Sequence, residues 1–392
     1  MSPSALCVLT EQNCRRLTNY PILASPTRFK DKKVLVVGFG ATAGDVIPTL
    51  MPHAAKVYAS HRRGAILVKR YRNGTPSELL VTWRRRQYTQ FMQKYLPTLT
   101  ARIADLAIPF LTRRYFGKLD PAWHLEPAPS ITTTLPGTLE FVVPFLRDGS
   151  LTLVQGVKRF TGPKSIEFAD GTILDDIDAV ICCTGYSADW SAAPFVETSV
   201  PNVEGYRGPP MYRLWMNMFP PAFADSCALL CYSQYGKNNG FSFGDVTAMA
   251  VSNVWRGVEP LPSRDVMEKC IDDHQRWGAR RWLTDPLCDT SAVKNWEFQA
   301  WLHRVAQTGM ENVGWGWKGW SFWWRDRKMY NLIAHGVETA HCYRYFDSPT
   351  RRHWPGAREA IIHVNQAVKD IFPIEDEDIP KPQWNAMDEG KW

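Results

Sequence analysis

Four consecutive apolar residues, Val34-Leu35-Val36-Val37, run straight into Gly38-Phe39-Gly40 and then Ala41-Thr42-Ala43-Gly44-Asp45. Three of the four are β-branched, which suits a strand buried on both faces of a parallel sheet. The glycines turn the chain into a segment able to run as a helix to about Leu50, with Pro52 closing it. Lys56-Val57-Tyr58-Ala59-Ser60 reads as the next strand. A glycine pattern alone is weak, but strand, turn, helix and strand in this order form the setting a dinucleotide site needs. Gly38 permits the tight turn, and Gly40 lets backbone N–H groups approach a pyrophosphate at the helix N-terminus. Ala43 is small enough to keep helix and strand close. The bland alternative is a turn whose glycines serve packing alone.

The end of the second strand selects among dinucleotides. An NAD site places an acid about 20 residues on, to hold the ribose 2′-hydroxyl. This chain has Ser60-His61-Arg62-Arg63 there. A hydroxyl and two guanidiniums suit a 2′-phosphate, so NADPH is the expected cofactor. His61 reads as a surface histidine beside them. The charge distribution agrees. The net charge is +7, and Lys56 to Arg86 alone holds nine basic residues against one acid. Such concentration argues for a local anionic ligand and against a general nucleic-acid surface. Arg84-Arg85-Arg86 lacks that positional support and reads as a solvated helix face.

Composition bounds the rest. The chain has 392 residues, 45% hydrophobic and 22% charged, which is room for two globular domains and excludes a disordered or collagenous chain. No apolar run approaches the ~18 residues of a spanning helix. The first residues carry no basic lead-in, so no secretory signal is expected. Nine cysteines without CxxC spacing read as reduced, core-filling thiols of a cytoplasmic protein. No metal-ligand spacing, catalytic triad or paired carboxylates stand out. Asp175, Asp176 and Asp178 read as solvated turn residues.

Residues 65–135 are rich in Arg, Pro and aromatics, with mixed helical periodicity. Beyond Gly137 the pattern turns to strands. Ser165 to Ile173 is a hairpin on an Asp170-Gly171 turn, and Ala179 to Cys183 is another buried strand. It ends in a Thr184-Gly185 corner, which suits either a plain strand end or a chain passing close under a nucleotide. Seventeen tryptophans include nine between Trp277 and Trp324. Those from Trp315 to Trp324, with Lys318, Arg325 and Arg327, read as an interfacial membrane patch or as packed core and substrate wall, the second being favoured. The tail from Ile374 is acidic and expected to fray.

The runs VLVVGFGATAGD, YASHRRG and FADGTILDDIDAVICCTGYSADW together resemble the flavin-containing monooxygenases. Phe219-Pro220-Pro221, a strand-like Cys227–Tyr232, and the Tyr343-Arg344-Tyr345-Phe346 and Trp354 to Arg358 segments extend the resemblance from about Arg28 to Val364. It implies an α/β fold, with an NADPH-binding Rossmann domain over 29–185 and a C-terminal region over 186–373 that completes a flavin domain. A lead-in over 1–28 and a tail over 374–392 flank them. It also implies NADPH and FAD as cofactors, O2 as co-substrate, and oxygenation of a small hydrophobic substrate at nitrogen, sulfur or a carbonyl carbon through a flavin hydroperoxide. By resemblance Gly38, Gly40 and Ala43 cradle the NADPH pyrophosphate, and Ser60, Arg62 and Arg63 hold its 2′-phosphate. Thr184-Gly185-Tyr186 returns the chain to the flavin domain. Gln234 and Asn238-Asn239-Gly240 precede a helix, running through Val254, whose N-terminus would favour reduced flavin. The family's earlier glycine-rich FAD unit and its FxGxxxHxxx(Y/F) motif have no counterpart ahead of Val34, the first histidine being His53. Ala41 stands where many members carry Asn. Three readings follow: a shortened monooxygenase, an NADPH-binding oxidoreductase or auxiliary protein without FAD, or a non-catalytic interaction protein.

Overall fold

The structure, a computed structural model, describes residues 6–10, 13–17, 26–185, 190, 191, 193–230, 240–375 and 379. The chain divides into two compact units, one built mainly from 26–71 and 101–185, the other from 72–100 and 190–375. Residues 72–100, expected as an insertion in the first domain, therefore belong to the second unit. Trp83 is the reason: it lies in the second unit's hydrophobic core.

The first unit holds a six-stranded sheet. Its strands are β1 (Leu6–Thr10), β2 (Asn13–Leu17), β3 (Lys33–Val37), β4 (Lys56–Ser60), β5 (Leu151–Val154) and β6 (Ala179–Cys182), in the order β2-β1-β6-β3-β4-β5. β6, β3, β4 and β5 are parallel, with Val34 opposite both Ala179 and Val57, and Val57 opposite Leu151. β1 and β2 form an antiparallel hairpin on β6, so the expected lead-in supplies two strands of the sheet.

Alternation along β3 explains its unbroken apolar run. Val34 and Val36 pack on one face, with Ala43, Val46, Ile47 and Leu50 of helix α1 (Ala41–Leu50). Leu35 points to the other face, against Ile166, Phe168 and Ile177. That second layer is a small sheet of Val157–Phe160, Ile166–Phe168 and Ile173–Leu174, whose turn uses Gly171 at φ 85°. Both faces of β3 are thus dry, as a central parallel strand requires. Beyond Gly137 a short helix, Val143–Arg147, precedes the expected strands.

The second unit is mainly helical. It contains α2 (Trp83–Tyr95), α4 (Gly240–Trp255), α5 (Arg264–Thr284), α6 (Asn295–Val305), α7 (Trp317–Arg325), α8 (Arg327–His335) and α9 (Ala357–Ile371), while α3 (Pro97–Phe116) begins within it. Phe243, Val246, Ala250, Val251 and Val254 recur at helical spacing, and they make the buried face of α4. The strand expected over Cys227–Tyr232 is not formed by Cys227–Leu230, and the rest of it lies outside the described residues. Among the described residues Met211–Tyr212 pairs only with Thr198–Ser199.

Two other expectations are corrected here. Arg84 is buried, donating to the Val313 carbonyl at 3.1 Å and to Tyr330, and Arg86 pairs with Glu338 at 2.8 Å. Those arginines tie α2 into its unit and do not form a solvated face. Trp317, Trp320 and Trp324 of α7 are exposed where packing was favoured, and Trp323 is half-buried, because Gly319 and Phe322 alone make that helix's buried side.

Candidate functional site

The turn after β3 is held between the ends of two neighbouring strands. Gly38 N–H donates to the Ser60 carbonyl at 2.8 Å, and Cys183 N–H donates to the Val37 carbonyl at 2.7 Å. Gly38 adopts φ 105°, and a methyl group there would sit 2.8 Å from the Cys183 carbonyl carbon. Glycine is thus required both by conformation and by space. Burial pushes the Cys183 thiol up to about 12, so it packs as a protonated thiol beside the turn.

Gly40 differs. It caps α1 at φ −111°, and a methyl on it would meet nothing within 4 Å. The space in front of it is open. No side chain caps α1, and its first turn holds no acid. Gly44 N–H makes a bond to the Gly40 carbonyl at 3.0 Å, which leaves earlier N–H groups aimed out of the helix end. This arrangement favours an anion such as a pyrophosphate. Ala43 is fully buried against the sheet, as expected. The closest approach falls one residue later: a methyl on Gly44 would lie 2.6 Å from the Thr138 carbonyl oxygen. The run of small residues was the available signal for it.

At the end of β4 the predicted phosphate group separates. Ser60 is only 1% exposed and donates its hydroxyl to the Gln155 carbonyl at 2.7 Å, so it serves the sheet, contrary to its expected phosphate role. His61, expected at the surface, is 6% exposed. Its ring nitrogens face the carbonyls of Arg63 at 2.7 Å and Trp123 at 3.0 Å. This histidine fastens the loop after β4 to the segment near Trp123. Arg63 is half-buried and donates to Thr134 at 2.8 Å. Arg62 is exposed and makes no hydrogen bond or ion pair with the described residues. Its stem lies against Gly156, where a methyl would come 2.9 Å from Arg62 Cγ.

The basic stretch from Lys56 to Arg86 is thus mostly consumed internally. Arg70 pairs with Asp45 at 2.8 Å, and Arg84 and Arg86 are held inside the second unit. Arg62 is the guanidinium left for a ligand at the end of β4. Thr184 and Gly185 lie exposed just past β6, with Gly185 at φ 94° and open space around it. The structure therefore brings Gly38, Gly40, Ala43, Thr184 and Gly185 to one edge of the parallel strands, with Arg62 past the neighbouring strand. Tyr186, Gln234, Asn238 and Asn239 lie outside the described residues. No group of His, Cys, Asp and Glu able to hold a metal occurs among the described residues.

Comparison with known proteins finds relatives over most of the chain. The family described as flavin-binding monooxygenase-like matches residues 19–383. Monooxygenase aurF of Gibberella zeae is 34% identical over 349 residues, covering 87% of this chain and 65% of that protein. Flavin-containing monooxygenase 5 of Oryctolagus cuniculus is 29% identical over 261 residues, covering 66% of this chain and 46% of that protein. The chain thus spans 65% or less of the length of these two relatives. The solved S-allyl-L-cysteine S-oxygenase from Allium sativum aligns at 15% identity and a TM-score of 0.41, covering 86% of this chain and 56% of that one. With the match running nearly end to end, the chain belongs to the flavin-binding monooxygenase-like family.

Proposed function

We propose that the chain acts as an NADPH- and FAD-dependent monooxygenase that inserts one oxygen atom from O2 into a small organic substrate at nitrogen, sulfur or a carbonyl carbon. The observation that carries the NADPH part is the pairing of an open Gly40 at the uncapped N-terminus of α1 with an exposed, unpaired Arg62 past β4. Backbone N–H groups at α1 would receive the pyrophosphate, and Arg62 the 2′-phosphate. Arg63, partly engaged with Thr134, would add charge nearby. The absence of an acid at this strand end removes the usual partner of an unphosphorylated ribose.

FAD enters through family membership. Among the described residues only the turn at Gly38–Gly40 is a glycine-rich Rossmann turn, and the residues assigned to flavin by resemblance lie outside them. When bound, FAD would accept the hydride of NADPH and activate O2; this chain's identified part is to bind and orient the nicotinamide donor. Adding NADPH under nitrogen to the purified chain incubated with FAD tests the reading. A visible flavin band that NADPH bleaches supports it. A chain that takes up no FAD yet binds NADPH is instead an NADPH-binding auxiliary protein, and one that binds neither is an interaction protein.

A second feature concerns where the chain works. No helix among the described residues is long and apolar enough to cross a membrane. Trp317 and Trp324 are each 83% exposed, and Trp320, Tyr88 and Phe91 are exposed in the same unit. Trp315 lies 5.1 Å from the Tyr88 ring, joining α2 to this aromatic surface. Lys94, Lys318, Arg325, Arg327 and Lys328 surround it in sequence. Exposed indoles interleaved with cations match the headgroup region of an anionic bilayer. We propose that this face rests on such a surface. Sedimentation with phosphatidylserine-containing vesicles should carry the chain down, and a Trp317→Ser/Trp324→Ser double variant should lose about tenfold in partitioning. Equal partitioning of both proteins, or concentration-dependent dimerisation through this face, would reject it.

A further inference from the structure

One short segment of the first unit meets both places where NADPH would be held. Residues 130–138 reach the loop after β4 at one end and the first turn of α1 at the other. At the loop, the Arg63 guanidinium donates to the Thr134 hydroxyl at 2.8 Å. At α1, a methyl on Gly137 would come 3.8 Å from the Gly40 carbonyl carbon, and the Thr138 carbonyl oxygen crowds Gly44. Gly137 N–H donates to the Ile66 carbonyl at 2.8 Å, and Leu67–Val68 pairs in parallel with Gly137–Thr138. The segment is therefore pinned at both ends of the dinucleotide edge.

Local hydrogen bonds set Thr134 in place. The Ser130 carbonyl accepts from the N–H groups of Thr133 at 3.1 Å and Thr134 at 3.0 Å. The Ser130 hydroxyl accepts from Thr132 N–H at 3.2 Å, the side-chain bond with which serine builds a turn. Thr133 is buried and anchors that turn.

Arg63 is fixed from its backbone as well. Its carbonyl faces His61 Nδ1 at 2.7 Å. The next residue, Gly64, is wedged, because a methyl there would collide with the Leu125 and Pro127 carbonyl oxygens. Ala65 N–H then donates to the Leu125 carbonyl at 3.2 Å. The two adjacent arginines thus differ. Arg62 is exposed and without a partner among the described residues, whereas Arg63 is half-buried, with backbone and guanidinium both held. An arginine ordered before its ligand arrives loses little rotamer entropy on binding, so its contact is the stronger one.

We propose that Thr134 is a positioning residue for recognition of the NADPH 2′-phosphate. By holding the Arg63 guanidinium in advance, it lets Arg62 and Arg63 take one phosphate together. The inference rests on NADPH being the cofactor. The hydroxyl acts through Arg63, so its effect belongs to the phosphate and not to the rest of the nucleotide.

Isothermal titration of NADPH and NADH against the full chain and its variants tests this. Thr134→Val removes the acceptor and should weaken NADPH about fivefold while leaving NADH within about twofold. Thr134→Ser restores the hydroxyl and should bind NADPH as wild type does. With Arg63→Gln already in place, Thr134→Val should add no more than about twofold, because the group it positions is gone. The thermal midpoint should hardly move, since Arg63 keeps some access to water that can replace the lost bond. A hydroxyl that only braces the loop predicts otherwise: Thr134→Val lowers the midpoint and weakens both nucleotides alike, with or without Arg63. That result overturns the inference. So does an NADPH affinity that Thr134→Val leaves unchanged while Arg62→Ala abolishes the preference for NADPH, in which case the NADPH assignment stands. Wild type that binds both nucleotides equally, or neither, overturns the assignment and the inference together. If Thr134→Val fails to fold, Thr134→Ala carries the same comparison.

Discussion

Gly38 and Gly40 sit two residues apart and do different work. Gly38 is fixed by a positive φ and by the Cys183 backbone, so Gly38→Ala should cost about 2–4 kcal/mol of stability by urea unfolding, the range set by strained φ and overpacking. Gly40→Ala meets open space at an ordinary φ and should leave stability within about 1 kcal/mol. It should nonetheless weaken NADPH, because its methyl occupies the approach to α1. Equal losses of stability in the two variants would refute this division. His303 supplies a pH-dependent test at the same scale. Its ordinary value of 6.5 is pushed down to about 3 in the fold by burial and by the neighbouring Arg86 guanidinium. The unfolded chain therefore binds a proton near pH 6.5 that the folded chain refuses. The stability linked to neutral His303 is complete above about 6.5 and is lost as pH falls toward 3. Between pH 7 and pH 4 wild type should lose about 2–4 kcal/mol more than His303→Gln. Parallel curves for the two proteins would contradict the burial of that ring.

Among the elements, α2 shows how far a local reading can miss. Its three arginines look alike in sequence, yet Arg85 is exposed while Arg86 meets Glu338 more than 250 residues further on. Burial holds the Glu338 carboxyl above the usual carboxylate range even though Arg86 opposes the shift, and Tyr343 donates a further hydrogen bond to it. Arg86→Met leaves that carboxyl buried without its cation. The variant should lose about 3–5 kcal/mol at pH 8 by urea unfolding. The loss should shrink as pH falls, because the raised Glu338 carboxyl takes up its proton before an ordinary carboxylate would. A pH-independent loss would mean that Arg86 acts only through packing. By comparison β3, α1 and β4 were legible in full, because each is defined by neighbours in sequence: the β-branched run, the two glycines and the short return to Lys56–Ser60. Ser60 and His61 lay beyond that logic. Their partners, Gln155 and Trp123, reach them from segments 95 and 62 residues away. The exposure of Trp317, Trp320 and Trp324 on α7 was illegible for a related reason, since composition cannot say which face of a short helix finds a partner.

Across the whole molecule, one unit carries a nearly complete dinucleotide edge while the other is a helical body with its own core and an exposed aromatic face. The allocation of residues 72–100 to the helical unit was invisible in sequence, because the chain leaves the Rossmann-type unit after a few short strands and returns to it along α3. The basic excess of the segment from Lys56 to Arg86 is correspondingly divided between the units. Most of it serves internal pairs, and Arg62 remains for a phosphate. Isothermal titration of NADPH and NADH against wild type and Arg62→Ala tests this assignment most directly. Wild type should bind NADPH at least about tenfold more tightly than NADH, and Arg62→Ala should erase that difference while leaving NADH unchanged. Equal affinity of wild type for the two cofactors, or a variant that weakens both alike, would contradict it.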